Sequence, residues 1–283
     1  MTKSVIRRKS VEPRVGIEAE PEGRDGGVQS VDRALTLIET LAEDDEGYRL
    51  TDLAVRTGLS TSTVHRLLTT LEKRRFVQFD RSEAKWHIGV RSFSVGSTFA
   101  RRRNFVAHAM PYLRKLRDQT RETANLAVVD DETIIVLTRV ESREIMRSLT
   151  KVGGRVAMVA SGVGKAVLAT YSDEDVSAII HRQGMPRLTE KSIVRPGELF
   201  KALQTVRQQG YAVDDEEARI GLRCVAAVVY NDCSEPLATI SVSGMTSRVT
   251  DERLPIIGNI VRDVAAELTV ALGGVMPATA RKN

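Results

Sequence analysis

The run Ser161-Gly162-Val163-Gly164-Lys165-Ala166 is the first place in this chain where residue types and spacing could do chemistry. A phosphate-cradling loop needs a glycine five positions before its Gly-Lys pair and a hydroxyl residue after the lysine. Val159 and Ala166 occupy those positions, which excludes that chemistry. Ser161 and Lys165 are four apart, one too many for the Ser-x-x-Lys nucleophile pattern. What survives is a helix start whose glycines expose backbone N–H groups and the positive dipole end to a small carboxylate. The same pattern is equally that of a close-packed turn without a ligand. Asp214-Asp215-Glu216-Glu217 offers carboxylates for a metal or an acid–base pair, although four consecutive acids at a strand end are more often solvated. Cys224 opens an apolar strand with no histidine near it in sequence, which favours a buried structural thiol over a nucleophile. Ser241 and Ser243 are two apart on a strand, so both hydroxyls face one side as a rim or a pocket floor. The four histidines, His65, His87, His108 and His181, lack metal-ligand spacing. No catalytic residue, metal or cofactor is expected.

A second chemistry is legible nearer the N-terminus. Thr51 is a candidate N-cap, Leu53, Ala54 and Thr57 share a face, and Gly58 suits the left-handed position that ends a helix. Ser60 then caps a helix from Thr61 to about Arg75, with Val64, Leu67, Leu68 and Leu71 as its buried stripe. This is a helix-turn-helix pattern. Its second helix leaves Thr61, Ser62, Thr63, His65, Arg66, Thr69 and Thr70 outside, short donors plus one arginine able to grip guanine. Phe76–Phe79 and Lys85–Ile88 read as a hairpin around Asp80–Ala84, a wing that brings Arg81 and Lys85 to the same task. Between Ser60 and Asn104 ten Lys or Arg face three acids, a local charge of +7 within a chain of net +5. A helical hairpin that binds protein is the competing reading; the local charge and the wing favour double-stranded DNA.

These residues need elements to hold them. The 283 residues, 42% hydrophobic and 28% charged, allow about two domains and exclude a wholly disordered chain. No run approaches the roughly 18 apolar residues of a membrane span, and the basic start lacks the apolar core of a secretory signal. Two cysteines, Cys224 and Cys233, suit the reducing cytoplasm. Residues 1–27 read as a disordered arm and 28–90 as the winged helix-turn-helix, whose first helix carries Val31, Leu35, Leu37, Ile38 and Leu41. Residues 91–106 form a linker helix ending in Arg101-Arg102-Arg103, 107–275 a second domain, and 276–283 a tail. In the second domain a helix (107–120) leads to strands at 125–130, 133–140 and 145–150. Helices from Ser161 and at about 173–181 and 196–209 follow. Strands at 211–215, 224–230 and 238–243 and a helix at about 251–272 complete it. Strand runs interrupted by helix blocks predict an α+β fold with an antiparallel sheet.

Val28-Gln29-Ser30-Val31-Asp32-Arg33-Ala34-Leu35, Ser62-Thr63-Val64-His65-Arg66-Leu67-Leu68 and Ala160-Ser161-Gly162-Val163-Gly164-Lys165-Ala166 together resemble the IclR family of bacterial transcriptional regulators. The likeness runs from about Val28 to Gly274. Val95-Gly96-Ser97, Asp214–Glu217, Gly221-Leu222-Arg223-Cys224 and Ser241-Val242-Ser243-Gly244 resemble its glyoxylate-bypass subgroup. The resemblance implies a winged helix-turn-helix, a linker helix that dimerises and a GAF-like effector domain, in dimers or tetramers that repress or activate. It implies a near-palindromic operator and a glyoxylate or pyruvate effector at Gly162, Val163, Asp214, Cys224, Ser241 and Ser243. An apolar patch would fall on Ile145, Ser148, Val156 and Leu222. Ser148 is polar where the subgroup has a large apolar residue, and Val163 stands where alanine is expected. Another small carboxylate, an aromatic acid, or an enzyme-like second domain remain alternatives.

Overall fold

A computed structural model describes residues 27–102, 105–142 and 151–277, which divide into two compact units within Met1–Phe93 and Ser94–Asn283. The expected arm before Gly27, the strand at 145–150, Arg103, and the end of the tail lie outside the described residues. Among those described, no helix is long and apolar enough to cross a membrane.

The first unit holds α1 (Gln29–Ala42), α2 (Leu50–Thr57), α3 (Thr61–Lys73) and the hairpin β1 (Val77–Asp80) and β2 (Lys85–Ile88). Leu37, Leu41, Leu53, Val64, Leu68, Val77 and Trp86 are its core. The α1 stripe is shorter than its periodicity predicts: Leu37 and Leu41 are buried, whereas Val31 and Leu35 on the first two turns are exposed. Helix α2 also departs from expectation. It starts at Leu50 with Arg49 as N-cap, so that Thr51 falls inside the first turn, and Asp52 Oδ2 reaches back to accept from the Arg49 N–H at 3.4 Å. Gly58 has φ +65°, the left-handed turn that lets α3 begin three residues later. Ser60 Oγ accepts from Thr63 N–H at 3.3 Å, the expected N-cap.

Helix α4 (Val90–Arg102) crosses the point of division. The second unit then has α5 (Phe105–Thr120), β3 (Thr123–Asp130), β4 (Thr133–Val140), β5 (Arg155–Ala157), α6 (Gly162–Leu168), α7 (Asp173–Gln183) and α8 (Pro196–Gln209). It ends with β6 (Ala212–Asp215), β7 (Leu222–Tyr230), β8 (Pro236–Met245) and α9 (Arg253–Ala271). The six strands lie in the order β5-β4-β3-β8-β7-β6, antiparallel at every pair. Strand β5 was not expected; it forms by pairing with β4, Val156 opposite Ile134, in a stretch whose glycines read as loop.

Alternation along each strand divides two cores. Ala238, Ile240 and Val242 of β8 pack toward α5 and α9 with Leu113, Val261 and Leu268. The other face carries Ala127, Ile134, Val136, Ala226 and Val228 against Val163, Val167, Leu199 and Leu203 of α6 and α8. Helix α6 approaches so closely that a Cβ on Gly164 would stand 2.0 Å from the Met158 carbonyl oxygen. Gly164→Ala must displace backbone, and we expect it to lower unfolding stability by about 1–3 kcal/mol. A urea midpoint equal to wild type would show that α6 does not seat against Met158.

Candidate functional site

Two surfaces carry polar groups that the folds around them do not need. The first is the outer side of α3. Val64 and Leu68 anchor it inward, which puts Arg66, Ser62 and Thr70 on the side directly away from the core. Arg66 is exposed, and among the described residues no ion pair engages it. The hydroxyls of Ser60, Ser62 and Thr63 form one network, Ser60 Oγ lying 3.0 Å from Ser62 Oγ and 2.9 Å from Thr63 Oγ1. Thr61 is exposed beside them. His65 and Thr69 lie a step around the helix and line a groove of about 480 Å³ with Arg49, Leu50, Phe79 and Trp86. Arg81 is exposed at the wing tip, whereas Lys85 is half-buried and pairs with Glu83 at 3.0 Å.

The second is a polar cluster on the α6 face of the sheet. Register puts Cys224 of β7 between Asp214 of β6 and Ser243 of β8, and sets Ser241 opposite Asn125 of β3. Asn125 Nδ2 donates to Ser241 Oγ and Ser243 Oγ, both at 3.4 Å. From the helix side Gly162 closes on the same strands: a Cβ there would meet the Cys224 carbonyl at 3.0 Å and Cys224 Sγ at 3.4 Å. Gly162, Asp214, Cys224, Ser241 and Ser243 thus meet in one place. Leu222 shares the Cys224 face two residues earlier, half-buried. Val163 turns instead into the apolar core beside Met158, and Val156 is four strands away in the sheet order. Ile145 and Ser148 lie outside the described residues. Ser161 caps α6 by accepting from Gly164 N–H at 3.0 Å, so that amide is not available to a ligand. Gly164 therefore follows the close-packed reading of the glycine run.

The four acids are not a solvated run; they split two in and two out. Asp215 pairs with Arg223 at 2.6 Å, and Glu216 pairs with Lys191 and accepts from Gly221 N–H at 2.7 Å. Asp214 and Glu217 go inward, 4% and 6% exposed. The reversal needs Glu216 at φ +62°. Asp214 Oδ1 accepts the Glu217 N–H at 2.7 Å and the Ala218 N–H at 3.3 Å. Glu217 Oε1 takes the ammonium of Lys165, itself 2% exposed, while Glu217 Oε2 is buried with no hydrogen-bond partner. Burial first, then the Glu217 charge, push the Asp214 carboxyl up to about 6. Burial and Asp214 raise the Cys224 thiol to about 11, so it is protonated and poorly nucleophilic at neutral pH. Lys165, Glu217 and Asn125 belong to this cluster, and sequence reasoning missed all three. A lone lysine in the apolar run Gly162–Leu168 was the available signal. Among the described residues no group of histidines, cysteines and acids could hold a metal.

A helix-turn-helix unit joined to an α+β unit with a buried polar cluster is the architecture of a ligand-responsive transcription regulator. The chain matches the IclR helix-turn-helix domain over residues 30–81 and the bacterial transcriptional regulator IclR C-terminal domain over residues 97–270. It is 43% identical over 251 residues to the acetate operon repressor of Salmonella typhimurium, spanning 88% of this chain and 92% of that protein. Identity to the transcriptional repressor IclR of Escherichia coli is 42% over 252 residues, again 88% and 92%. A crystal structure of an IclR regulator from Alicyclobacillus acidocaldarius matches with a TM-score of 0.76 at 26% identity, over 87% of this chain and all of that one. The chain belongs to the IclR family of bacterial transcriptional regulators.

The Asp214 geometry has a pH signature. A carboxyl whose folded pKa lies above its unfolded value binds more protons folded than unfolded, so stability falls as pH rises between about 4 and 6. Above that window the cost is at most about 3 kcal/mol; below it the cost is absent. Asp214→Asn keeps a carbonyl to accept from Glu217 and Ala218 N–H. We expect it to stabilise the ligand-free protein at pH 7.5 and to be neutral at pH 4. Urea unfolding at both values checks this; equal effects at the two would refute it.

Proposed function

We propose that this chain represses genes of two-carbon metabolism by binding a near-palindromic operator as a homo-oligomer, under control of a small 2-oxo acid. The effector class we infer is glyoxylate or pyruvate, bound at Gly162, Asp214, Cys224, Ser241 and Ser243. The observation that carries this reading is the convergence of those residues, from one helix and three strands, on a single polar spot within an apolar face. Hydrated glyoxylate would set its carboxylate at the α6 start, donate a hydroxyl to Asp214, and exchange hydrogen bonds with Ser241 and Ser243. A carboxylate beside a bound anion is tolerable only where ligand hydroxyls donate to it. The protonated Cys224 thiol supports binding rather than turnover. The names of the two repressors above support the sign of regulation, and the cytoplasm is where operator and reduced thiols coexist. Val31 and Leu35 on α1 and Phe93 on α4 are exposed apolar side chains that support self-association. The output is a shift between conformations that bind DNA differently, which requires only that the acid prefer one of them.

Replacing Ser241 and Ser243 together by alanine should remove two hydrogen bonds of about 0.5–1.5 kcal/mol each. Glyoxylate affinity would then fall roughly five- to 150-fold in calorimetry, with operator affinity of the ligand-free protein near wild type. Unaltered glyoxylate affinity would mean that the pocket is placed wrongly.

On the DNA side, Arg66→Ala should cost about 1–3 kcal/mol and relax preference at one base pair if Arg66 reads a base. Mobility-shift titrations on a set of operator variants distinguish this from uniform weakening, which would assign Arg66 to phosphate.

A further inference from the structure

The Lys165–Glu217 pair does something that ion pairing alone leaves unexplained. Glu217 is 6% exposed, its Oε1 is taken by the Lys165 ammonium, and its Oε2 has no partner at all. A buried acceptor without a donor is costly and rare in native folds. The surroundings supply no donor for it. Asp214 next to it is a second buried carboxyl whose Oδ1 is already filled by the Glu217 and Ala218 N–H groups. Thr189 and Ser192, which pack on this turn, donate their hydroxyls to the Glu216 and Glu217 carbonyl oxygens. Two inward carboxylates share one ammonium, with the thiol of Cys224 as the remaining titratable group among the described residues of the cluster. The site therefore leaves one buried acceptor, Glu217 Oε2, without a donor.

Building on the effector site proposed above, we propose that Glu217, held by Lys165, is a specificity-determining residue whose free oxygen accepts an O–H from the ligand. The site thereby selects acids that carry hydroxyl donors beside their carboxylate, the gem-diol of a hydrated 2-oxo acid, over dianions of the same size without donors. Asp214 and Glu217 each take one hydroxyl of the diol. Lys165 acts as a positioning residue: it fixes the Glu217 carboxylate and offsets one of the two negative charges.

Glyoxylate and oxalate are the probes that separate the claims, since they match in size while oxalate has no donor at neutral pH. Calorimetry on the full-length wild type should give glyoxylate at least tenfold tighter than oxalate. Glu217→Gln exchanges one acceptor for an amide N–H that can donate to oxalate, so the ratio should shrink to within about threefold. Removing the pair together, Lys165→Met with Glu217→Leu, eliminates the ion pair without leaving either of its partners uncompensated and should likewise collapse the ratio. A purely structural pair would weaken both ligands in proportion and leave the ratio intact, which would overturn the Glu217 assignment while glyoxylate binding stands. No glyoxylate binding by wild type would overturn both this assignment and the effector reading beneath it.

Discussion

The second unit depends on how closely α6 lies against the sheet. Gly162 has no side chain to hold the helix off: a Cβ there would meet the Cys224 carbonyl oxygen on β7, while one on Gly164 would strike the Met158 carbonyl in the segment that leads into the helix. A helix seated that deep cannot keep a lysine in water one turn later, and Lys165 is 2% exposed. A buried ammonium needs a carboxylate, and Glu217 supplies it. Bringing Glu217 inward requires the turn after β6, with Glu216 in a left-handed conformation and Asp214 Oδ1 collecting the freed N–H groups. Asp214 is thereby buried as well, and its raised pKa is a consequence of the same close approach. The steric allowance at Gly162 thus bears on both the position and the charge state of the cluster.

The sheet contributes through its period of two. On β8 the residues facing α5 and α9 are Ala238, Ile240 and Val242, all apolar, while Thr239, Ser241 and Ser243 face the other side. On β7 that other side runs from Cys224 to Ala226 and Val228, polar at one end and apolar at the other. The cluster is therefore one end of an apolar face. A one-residue slip of β7 against β8 would put Val225 beside Ser243 and break both cores together, so register and site are specified by the same apolar pattern.

The first unit was almost fully legible in the sequence because its signals are local. Gly58, Ser60 and the stripe at Val64, Leu67, Leu68 and Leu71 state a helix-turn-helix within about 25 residues, and antiparallel strand order follows from the α+β pattern. The misses are instructive. Thr51 has the chemistry of a cap, but the helix starts one residue before it, with Arg49 as N-cap and Asp52 accepting from the Arg49 N–H; Val31 and Leu35 repeat at helical spacing without being buried in their own unit. Strand β5 exists only by pairing with β4, which propensity around Gly153 and Gly154 does not encode. For the cluster, Ser241 and Ser243 were readable from spacing, and Gly162, Asp214 and Cys224 from family resemblance. Lys165 and Glu217 were not, because 52 positions separate them and each looks like surface where it stands. Four acids in a row carry no mark showing which two turn inward.

A buried charged trio seldom serves stability. Replacing such groups by packed apolar residues is often neutral or stabilising, whereas leaving one uncompensated is costly. Here one ammonium faces two carboxyls, one of them with an oxygen that nothing satisfies, so the ligand-free cluster is under-paired by construction. On the proposed reading, such a site would recover part of that cost when a small molecule brings donors. Each hydrogen bond to a charged group contributes about 1.5–3 kcal/mol, so two or three reach the few kcal/mol by which an effector must favour one conformation to shift a population decisively. A ligand as small as a two-carbon acid buries too little apolar surface to do so by the hydrophobic effect alone. On the proposed reading, the unsatisfied acceptor at Glu217 is what would allow so small an effector to act as a switch.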